Sequence, residues 1–403
     1  MKVQTHIPSL LGSLLFSLGA VFGLGLALLM GVVVLSTFLT GGKVDASQTI
    51  VLAVAGFEGL VLLSAAFVSV QKVLQQPSAE SESAFTITPW QIAALVLLAG
   101  TAVLVGHLVT ANGAVTWIIL PLLTLAAVSL PLLVMLGLGI RDIPLGARWQ
   151  SWNVLGIAMT LVPFLLVIIE SLVMIFIVVL AIAFIASQPE LAREMERLSR
   201  QLYFIGPDPE AMARRLAPLL TRPAVIGVAL AYFAVIVPLL EELIKPLGVW
   251  LFANRLSSPA QGFALGALSG AGYALIETLG VSAQTADWAS LLLSRIGTGI
   301  LHITASALMG GAIAFAVRER RYFHLFRTYL ASVSLHGLWN ALAILYTFST
   351  LVEYTDQQGM LAGLQLPVSI GMGVLAVVML GILILSNRRV RNTAQQEIAE
   401  PPA

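Results

Sequence analysis

Two adjacent glutamates followed by a lysine lie within a strongly apolar segment of the chain. Lys245 stands four residues after Glu241 and three after Glu242, so a helix would bring its ammonium within pairing distance of both carboxylates. A charged side chain near a bilayer centre costs about 3 kcal/mol even on insertion scales. A structural ion pair accounts for only one glutamate, so the second favours a functional role for this pattern.

A second acid, Glu277, follows a glycine-rich segment. Tyr273 precedes it by one helical turn, which places the ring and the carboxylate on one helix face. Gly262, Gly266 and Gly270 recur at every fourth position, and such a face lets a neighbouring helix approach closely. We expect the glycines to serve packing only. For Glu277, the alternative is a position near the outer interface, where charge costs little.

Two histidines and an arginine occupy the apolar segments that follow. Arg295 and His302 are two helical turns apart and therefore share a face, while His336 precedes Asn340 by one turn. An isolated histidine in an apolar segment is usually a satisfied core residue. Two such histidines on different segments favour a functional role as proton carriers or metal ligands.

Composition defines the class of protein that must position these side chains. The chain has 403 residues, 58% hydrophobic and 10% charged, with a mean hydropathy of +0.95. Its apolar runs are continuous rather than alternating, which excludes an outer-membrane barrel and predicts an all-α, polytopic helical membrane protein. A net charge of +1 argues against nucleic acid as a partner, and the absence of cysteine excludes thiolate metal sites.

About ten transmembrane helices are predicted from the apolar runs and the polar or glycine-rich interruptions between them. The predicted spans are residues 10–39, 48–70, 90–109, 114–138, 152–186, 224–253, 260–280, 288–317, 328–349 and 364–385. The arginine bias of the connecting segments predicts cytoplasmic termini, with Asp287, Glu353 and Asp356 on the opposite side.

Four regions follow from the distribution of charge. Residues 1–187 form a five-span region of unknown role, and residues 188–223 form a charged segment with helical spacing of Leu and Met. That segment is predicted to be an amphipathic interfacial linker, with a solvated helix as the alternative. Residues 224–349 hold nearly all the reactive side chains, and residues 350–403 supply the last span and a cytoplasmic tail.

Depth within the spans is an independent indication that the reactive groups meet. If the midpoint of each span lies at the bilayer centre, Glu241, Glu242, His302 and His336 fall within about one turn of a common plane. Glu277 falls about 10 Å further out by helical rise. Either its helix is shifted along its axis or the site opens toward the outer face.

The order of the patterns, EExxK, aromatic-xxx-E, R-x6-H and HxxxN, each on its own span, is similar to that of the PrsW family of intramembrane proteases. This family is related to the CAAX prenyl endopeptidases and the Abi-type immunity proteins. The resemblance covers residues 224–349 and therefore identifies them as a PrsW-like catalytic core. Two departures are Tyr273, where Phe is commoner, and Thr278, where Asn usually follows the glutamate.

The resemblance implies an endopeptidase that hydrolyses a peptide bond of a membrane-anchored protein, with anti-sigma factors as the substrates of relatives. It implies a multi-pass protein of a prokaryotic plasma membrane. By position, the expected catalytic residues are Glu241 or Glu242 as the base, Lys245 as its ionic partner, and Arg295 or Asn340 at the oxyanion. The expected ligands of a divalent metal such as zinc are Glu277, His302 and His336. Hydrogen bonds alone are the alternative way to hold the water.

Two non-enzymatic readings remain open. Charged groups at mid-depth, on a segment broken by Pro238 and Pro246, also describe a proton- or ion-coupled transporter. Transporters of this size often have two similar halves, whereas Glu58, His107 and Glu170 form no second copy of the patterns. A scaffold that binds a partner's helix through the glycine face is the other alternative, and the retained charges argue against it.

Overall fold

The computed structural model describes residues 6–82, 86–110, 115–205, 208–283, 287–355, 361 and 363–399. Within these ranges the protein is α-helical and contains no β-strand. Ten helical segments of the described chain are long and apolar enough to cross a membrane. The prediction of an all-α, polytopic membrane protein is therefore confirmed. Asp356 lies outside the described residues, as do the ends of the first and last predicted regions.

Sixteen α-helices form the described chain. They are α1 (Ile7–Leu39), α2 (Ala46–Val73), α3 (Pro77–Glu80), α4 (Pro89–Thr110), α5 (Thr116–Gly139), α6 (Arg148–Met159), α7 (Leu161–Ala186), α8 (Pro189–Ile205), α9 (Pro209–Leu220), α10 (Pro223–Ala231), α11 (Val237–Ile244), α12 (Leu247–Leu251), α13 (Pro259–Val281), α14 (Trp288–Glu319), α15 (Tyr322–Val352) and α16 (Gln365–Ala399). Helices α6 and α7 together make one span, and α10 to α12 make another. Each predicted span is present, although the last one extends to Thr393.

The chain forms two compact units, each built from separate stretches of sequence. Unit 1 comprises Met1–Pro163, Glu242–Ser332 and Ala376–Ala403. Unit 2 comprises Phe164–Glu241 and Val333–Leu375. The division falls between the two adjacent glutamates, so each unit contains one of them.

Within unit 1, helices α13 and α14 pack at very short range. A Cβ at Gly262 would meet the carbonyl group of Gly310, and one at Gly270 would overlap the carbonyl oxygen of His302. The glycine face was predicted to serve packing, and these contacts confirm it. The consequence is that the backbone of α13 lies directly against the segment of α14 that carries His302.

The span that carries the glutamates is interrupted twice. A five-residue π-helix, Tyr232–Ile236, separates α10 from α11. Helix α11 then ends at Ile244, because Pro246 offers no N–H and disfavours helical geometry at the residue before it. Lys245 therefore sits at a helix end, next to Glu242 in space.

Unit 2 contains the segment predicted to be an interfacial linker. It forms two helices, α8 and α9, and α8 separates its apolar and polar residues strongly onto opposite faces. The ion pair of Arg222 with Glu194 connects the end of the segment to α8, and Arg200 pairs with Glu196 at 2.6 Å. A position on the membrane surface remains a prediction.

Candidate active site

In unit 1, a chain of polar contacts begins at Glu242. The ammonium of Lys245 forms an ion pair with Glu242, and both side chains are fully buried. Lys245 Nζ also lies 2.9 Å from Nδ1 of the buried His302. Of the two glutamates that spacing offered to Lys245, the structure shows an ion pair with the one three residues away.

His302 is held through both of its ring nitrogens. An ammonium group can only donate hydrogen bonds, so Nδ1 must accept from Lys245 and must carry a lone pair. The hydrogen of the neutral ring is then on Nε2, which donates to Glu277 Oε2 at 2.8 Å. Lys245 and Glu277 thus select one tautomer of His302 and fix the orientation of its ring.

Glu277 also receives the guanidinium of Arg295. Arg295 Nη2 lies 2.6 Å from Glu277 Oε2, and Arg295 Nε donates to Thr278 Oγ1 at 3.3 Å. The predicted shared face of Arg295 and His302 is confirmed, because both reach the same carboxylate. Helical side chains point toward the N-terminus of their helix, which directs Glu277 back toward the level of His302.

A second layer supports these groups from α13. The ring of Tyr273 meets His302 edge-on at a centroid distance of 5.1 Å, and Lys245 Nζ lies 5.7 Å from the Tyr273 centroid. Ser269 Oγ donates to the carbonyl oxygen of Lys245 at 2.6 Å. Ser269 was not recognised from the sequence, although it precedes Tyr273 and Glu277 at intervals of four residues and so lies on their helix face.

In unit 2, Glu241 faces the second histidine. His336 Nε2 lies 4.0 Å from Glu241 Oε2, and both side chains are buried. This separation exceeds a hydrogen bond, as is common for catalytic pairs before substrate binds. Gly337, next to His336, lies so close to the carbonyl oxygen of Ala234 that a Cβ there would overlap it. Close packing against the π-helix therefore fixes the position of His336 within unit 2.

Asn340 has a defined partner in the π-helix. Val237 N–H bonds to the carbonyl of Tyr232, one residue further back than in an α-helix. In that register the carbonyl of Phe233 would accept from residue 238, which is a proline without an N–H. Asn340 Nδ2 donates to this carbonyl at 2.8 Å. Asn340, which was predicted to contact the oxyanion, thus donates one of its two amide hydrogens to the backbone.

The charges of the predicted site residues are arranged in pairs. Lys245 pairs with Glu242, Arg295 pairs with Glu277, and His336 faces Glu241. Since Glu277 contacts the Nε2 side of the His302 ring, it has the position of a carboxylate that orients a histidine. The role of Glu277 as a metal ligand stays a prediction.

The comparison with family models decides between the functional alternatives. The model described as PrsW family intramembrane metalloprotease matches residues 165–382, more than half of the 403-residue chain. The chain belongs to this family. The matched region contains all the predicted catalytic and metal-ligating residues and extends beyond residues 224–349 in both directions.

Searches of curated proteins and of solved structures found no match. Membership of the PrsW family makes the chain an intramembrane protease, a hydrolase whose substrates are membrane-anchored proteins within a lipid bilayer. It favours this activity over the transporter and the scaffold that the sequence had left open.

Proposed function

We propose that Glu241 is the general base of a peptide hydrolysis catalysed by this protein, with His336 of unit 2 as its partner. The observation that carries this proposal is the position of the buried Glu241 carboxylate opposite the buried imidazole of His336 within unit 2. The neighbouring Glu242 forms an ion pair with Lys245 in unit 1.

The proposed reaction uses Glu241 to move one proton. Its carboxylate accepts a proton from water while the water oxygen attacks the carbonyl carbon of the scissile bond. The same proton then passes to the leaving nitrogen, directly or through His336, and the C–N bond breaks. The products are a carboxylic acid and an amine, which together contain all the atoms of the peptide and the water, so no further reactant is needed.

The contacts in unit 1 orient the His302 ring. Lys245 pairs with Glu242 and selects one tautomer of His302, and Glu277, with Arg295 as its ionic partner, fixes the orientation of that ring. We therefore propose a positioning role for Arg295. The Asn340 amide hydrogen that Phe233 does not use is the proposed donor to the oxyanion.

The side chains of this site are suitable ligands for a divalent metal. Imidazole nitrogens and a carboxylate are typical zinc ligands, and His302 has the arrangement of a ligating histidine, with Nε2–H on Glu277 and a lone pair on Nδ1. His302 and His336 are both buried and offer imidazole nitrogens to such an ion, while Glu241 keeps the role of base. Such an ion supplies a water of lowered pKa and polarises the substrate carbonyl.

The substrate class and location follow from the family. We propose a single-span membrane protein as the substrate, with an anti-sigma factor as the first candidate, and a prokaryotic plasma membrane as the location. The relation of the family to the CAAX endopeptidases and Abi proteins is part of the same proposal. These assignments depend on the resemblance of the motifs around Glu241, His302 and His336.

The test is cleavage of a panel of single-span proteins, including anti-sigma factors, by the purified protein in proteoliposomes. The wild type is compared with Glu241→Gln, Glu242→Gln and His336→Ala, and bound metal is measured on the same samples. We expect the wild type to cleave a specific protein of the panel. In Glu241→Gln the cleavage rate should be at least about 100-fold lower, while the unfolding temperature is unchanged. Cleavage that survives all three substitutions would overturn the proposal.

Bound metal decides between the two forms of the mechanism. About one ion per wild-type chain, lost in His336→Ala, supports the metal-dependent form. A wild type that cleaves at full rate after chelation, with no ion bound, supports water activation by Glu241 alone.

A further inference from the structure

A basic cavity lies in unit 1 where α14 ends, α15 begins and the second half of α16 passes. Its volume is about 270 Å³, which is ample for several water molecules. Three cationic or titratable side chains line it: Arg321, His324 and Arg389. The polar lining is completed by the hydroxyl groups of Thr328, Ser386 and Thr393.

The connection between α14 and α15 explains why these groups converge. Helix α14 ends at Glu319 and is capped by Arg320, a non-glycine residue in the left-handed conformation with φ of 57°, and α15 begins two residues after this cap. Phe315 then packs against both Arg321 and His324. The Arg321 guanidinium carbon lies 5.4 Å from the ring centroid, and the His324 ring meets it edge-on at 5.4 Å. The aromatic ring thus holds two basic side chains on one wall of the cavity.

The cavity carries a net positive charge, although the charge of Arg321 is compensated by a nearby carboxylate. Arg321 Nε contacts Glu319 at 2.8 Å, and Glu319 is not a lining residue. No acidic side chain lines the cavity, and among the side chains that the structure describes none forms an ion pair with Arg389. An occupant that carries one negative charge would be neutralised here and would find several hydroxyl donors.

Part of the cavity lining is apolar. It is formed by Phe263, Leu308, Ala312 and the ring of Phe315. A cavity with cations and hydroxyl groups on one part of its lining and hydrocarbon on another matches an amphiphile whose head is an anion. We propose that it binds the phosphate of an anionic phospholipid, with the start of an acyl chain against the apolar wall.

The position of the cavity agrees with a lipid source for this phosphate. Arg321 and Arg389 belong to the arginine-rich side of the bundle, which the positive-inside rule predicts to face the cytoplasm. The cytoplasmic leaflet is the one that carries anionic lipids, and basic pockets between spanning helices on this side bind their head groups. The proposal concerns a site away from the catalytic residues and does not depend on the peptidase mechanism.

The test is equilibrium binding to the full-length protein, measured by native mass spectrometry from detergent micelles. The probes are phosphatidylglycerol, phosphatidylcholine and glycerol 3-phosphate. We expect phosphatidylglycerol to bind at least fivefold more tightly than either of the others. Arg389→Gln should weaken its binding about fivefold, whereas Arg388→Gln, which removes the same charge one residue away and outside the lining, should change it less than about twofold.

A second substitution guards against a folding defect in the arginine variants. Thr393→Glu places a carboxylate at the exposed end of the cavity and should abolish the preference for phosphatidylglycerol, while Thr393→Gln should retain it. Equal losses in Arg388→Gln and Arg389→Gln would show diffuse surface charge only and overturn the proposal. Tight binding of glycerol 3-phosphate would overturn it in favour of a soluble phosphate ester.

Discussion

Lys245 Nζ lies 2.9 Å from His302 Nδ1, and this contact determines which nitrogen of the ring carries hydrogen. The lone pair of His302 therefore points toward an ammonium group that itself neutralises Glu242. A metal at Nδ1 would have to take the place of that hydrogen bond. Lys245 is thus the residue that joins the acid, the imidazole and the proposed metal chemistry.

Removal of the buried ammonium should be strongly destabilising. Lys245→Met removes the ammonium that pairs with the buried Glu242 carboxylate, which we expect to lower the free energy of unfolding by about 3–5 kcal/mol. The double variant Glu242→Gln/Lys245→Met removes both charges and should recover most of that loss without recovering cleavage. Thermal unfolding in detergent measures the first effect. Equal instability of the single and double variants would show that the ion pair is not the cause.

The close contact between α13 and α14 predicts contrasting effects of two glycine substitutions on the same helix. Gly270→Ala should lower stability by about 1–3 kcal/mol and impair cleavage, because its Cβ would displace the backbone of His302. Gly280→Ala should change stability by less than about 0.5 kcal/mol, since nothing lies within 4 Å of its Cβ. Unfolding temperature and cleavage rate are measured for both. Similar losses in the two variants would contradict the packing account.

The bond from Asn340 to the Phe233 carbonyl can be tested by restoring the missing backbone donor. Asn340→Ala should cost about 1–3 kcal/mol because the carbonyl loses its partner. Pro238→Ala supplies an N–H in the register of the π-helix, so the double variant should be more stable than Asn340→Ala alone. Denaturation of the four combinations gives the coupling energy. Additive effects would mean that Pro238 and Asn340 do not act on the same carbonyl.

Much of the site could be predicted from helical spacing, because spacing along one helix determines which side chains share a face. The Arg295 to His302 interval predicted a shared face, and both residues contact Glu277. The depth of the Glu277 carboxylate was harder to predict from the sequence. Helical rise locates the backbone only, whereas the contact arises because the side chain points back along α13 toward His302.

Features that depend on partners from distant parts of the sequence could not be predicted. Asn340 donates to the carbonyl of Phe233, which lies 107 positions earlier in the chain, within the π-helix Tyr232–Ile236. No local pattern encodes such a hydrogen bond. The pairing of Lys245 with Glu242 also remained open, because spacing alone places both glutamates within reach.

Protonation of His6, which lies just before the first span, should lower the stability of the protein at pH values below neutral. The guanidinium of Arg255 can only donate, so it contacts an unprotonated Nε2, and His6 Nδ1 lies 2.9 Å from Ser9 Oγ. Burial, followed by the charges of Arg255 and Lys72, holds the pKa of His6 below its usual 6.5, and Glu80 opposes this effect.

The sign of the His6 effect follows from proton linkage. Below about pH 6.5 the unfolded chain binds a proton that the folded protein resists, so the stabilisation present above that pH is lost as the pH falls. The unfolding temperature should decline more between pH 7 and pH 5 in the wild type than in His6→Gln. Parallel pH profiles for the two proteins would rule out a contribution from His6.

The central claim is that Glu241 and His336, which face each other in unit 2, act together in catalysis. It is tested most directly by single-turnover cleavage of one substrate by Glu241→Gln, His336→Gln and the double variant. Residues that act as a unit have strongly non-additive effects, so we expect the double variant to cleave within about threefold of the slower single variant. A rate reduced by the product of the two separate losses would show independent sites and contradict the claim.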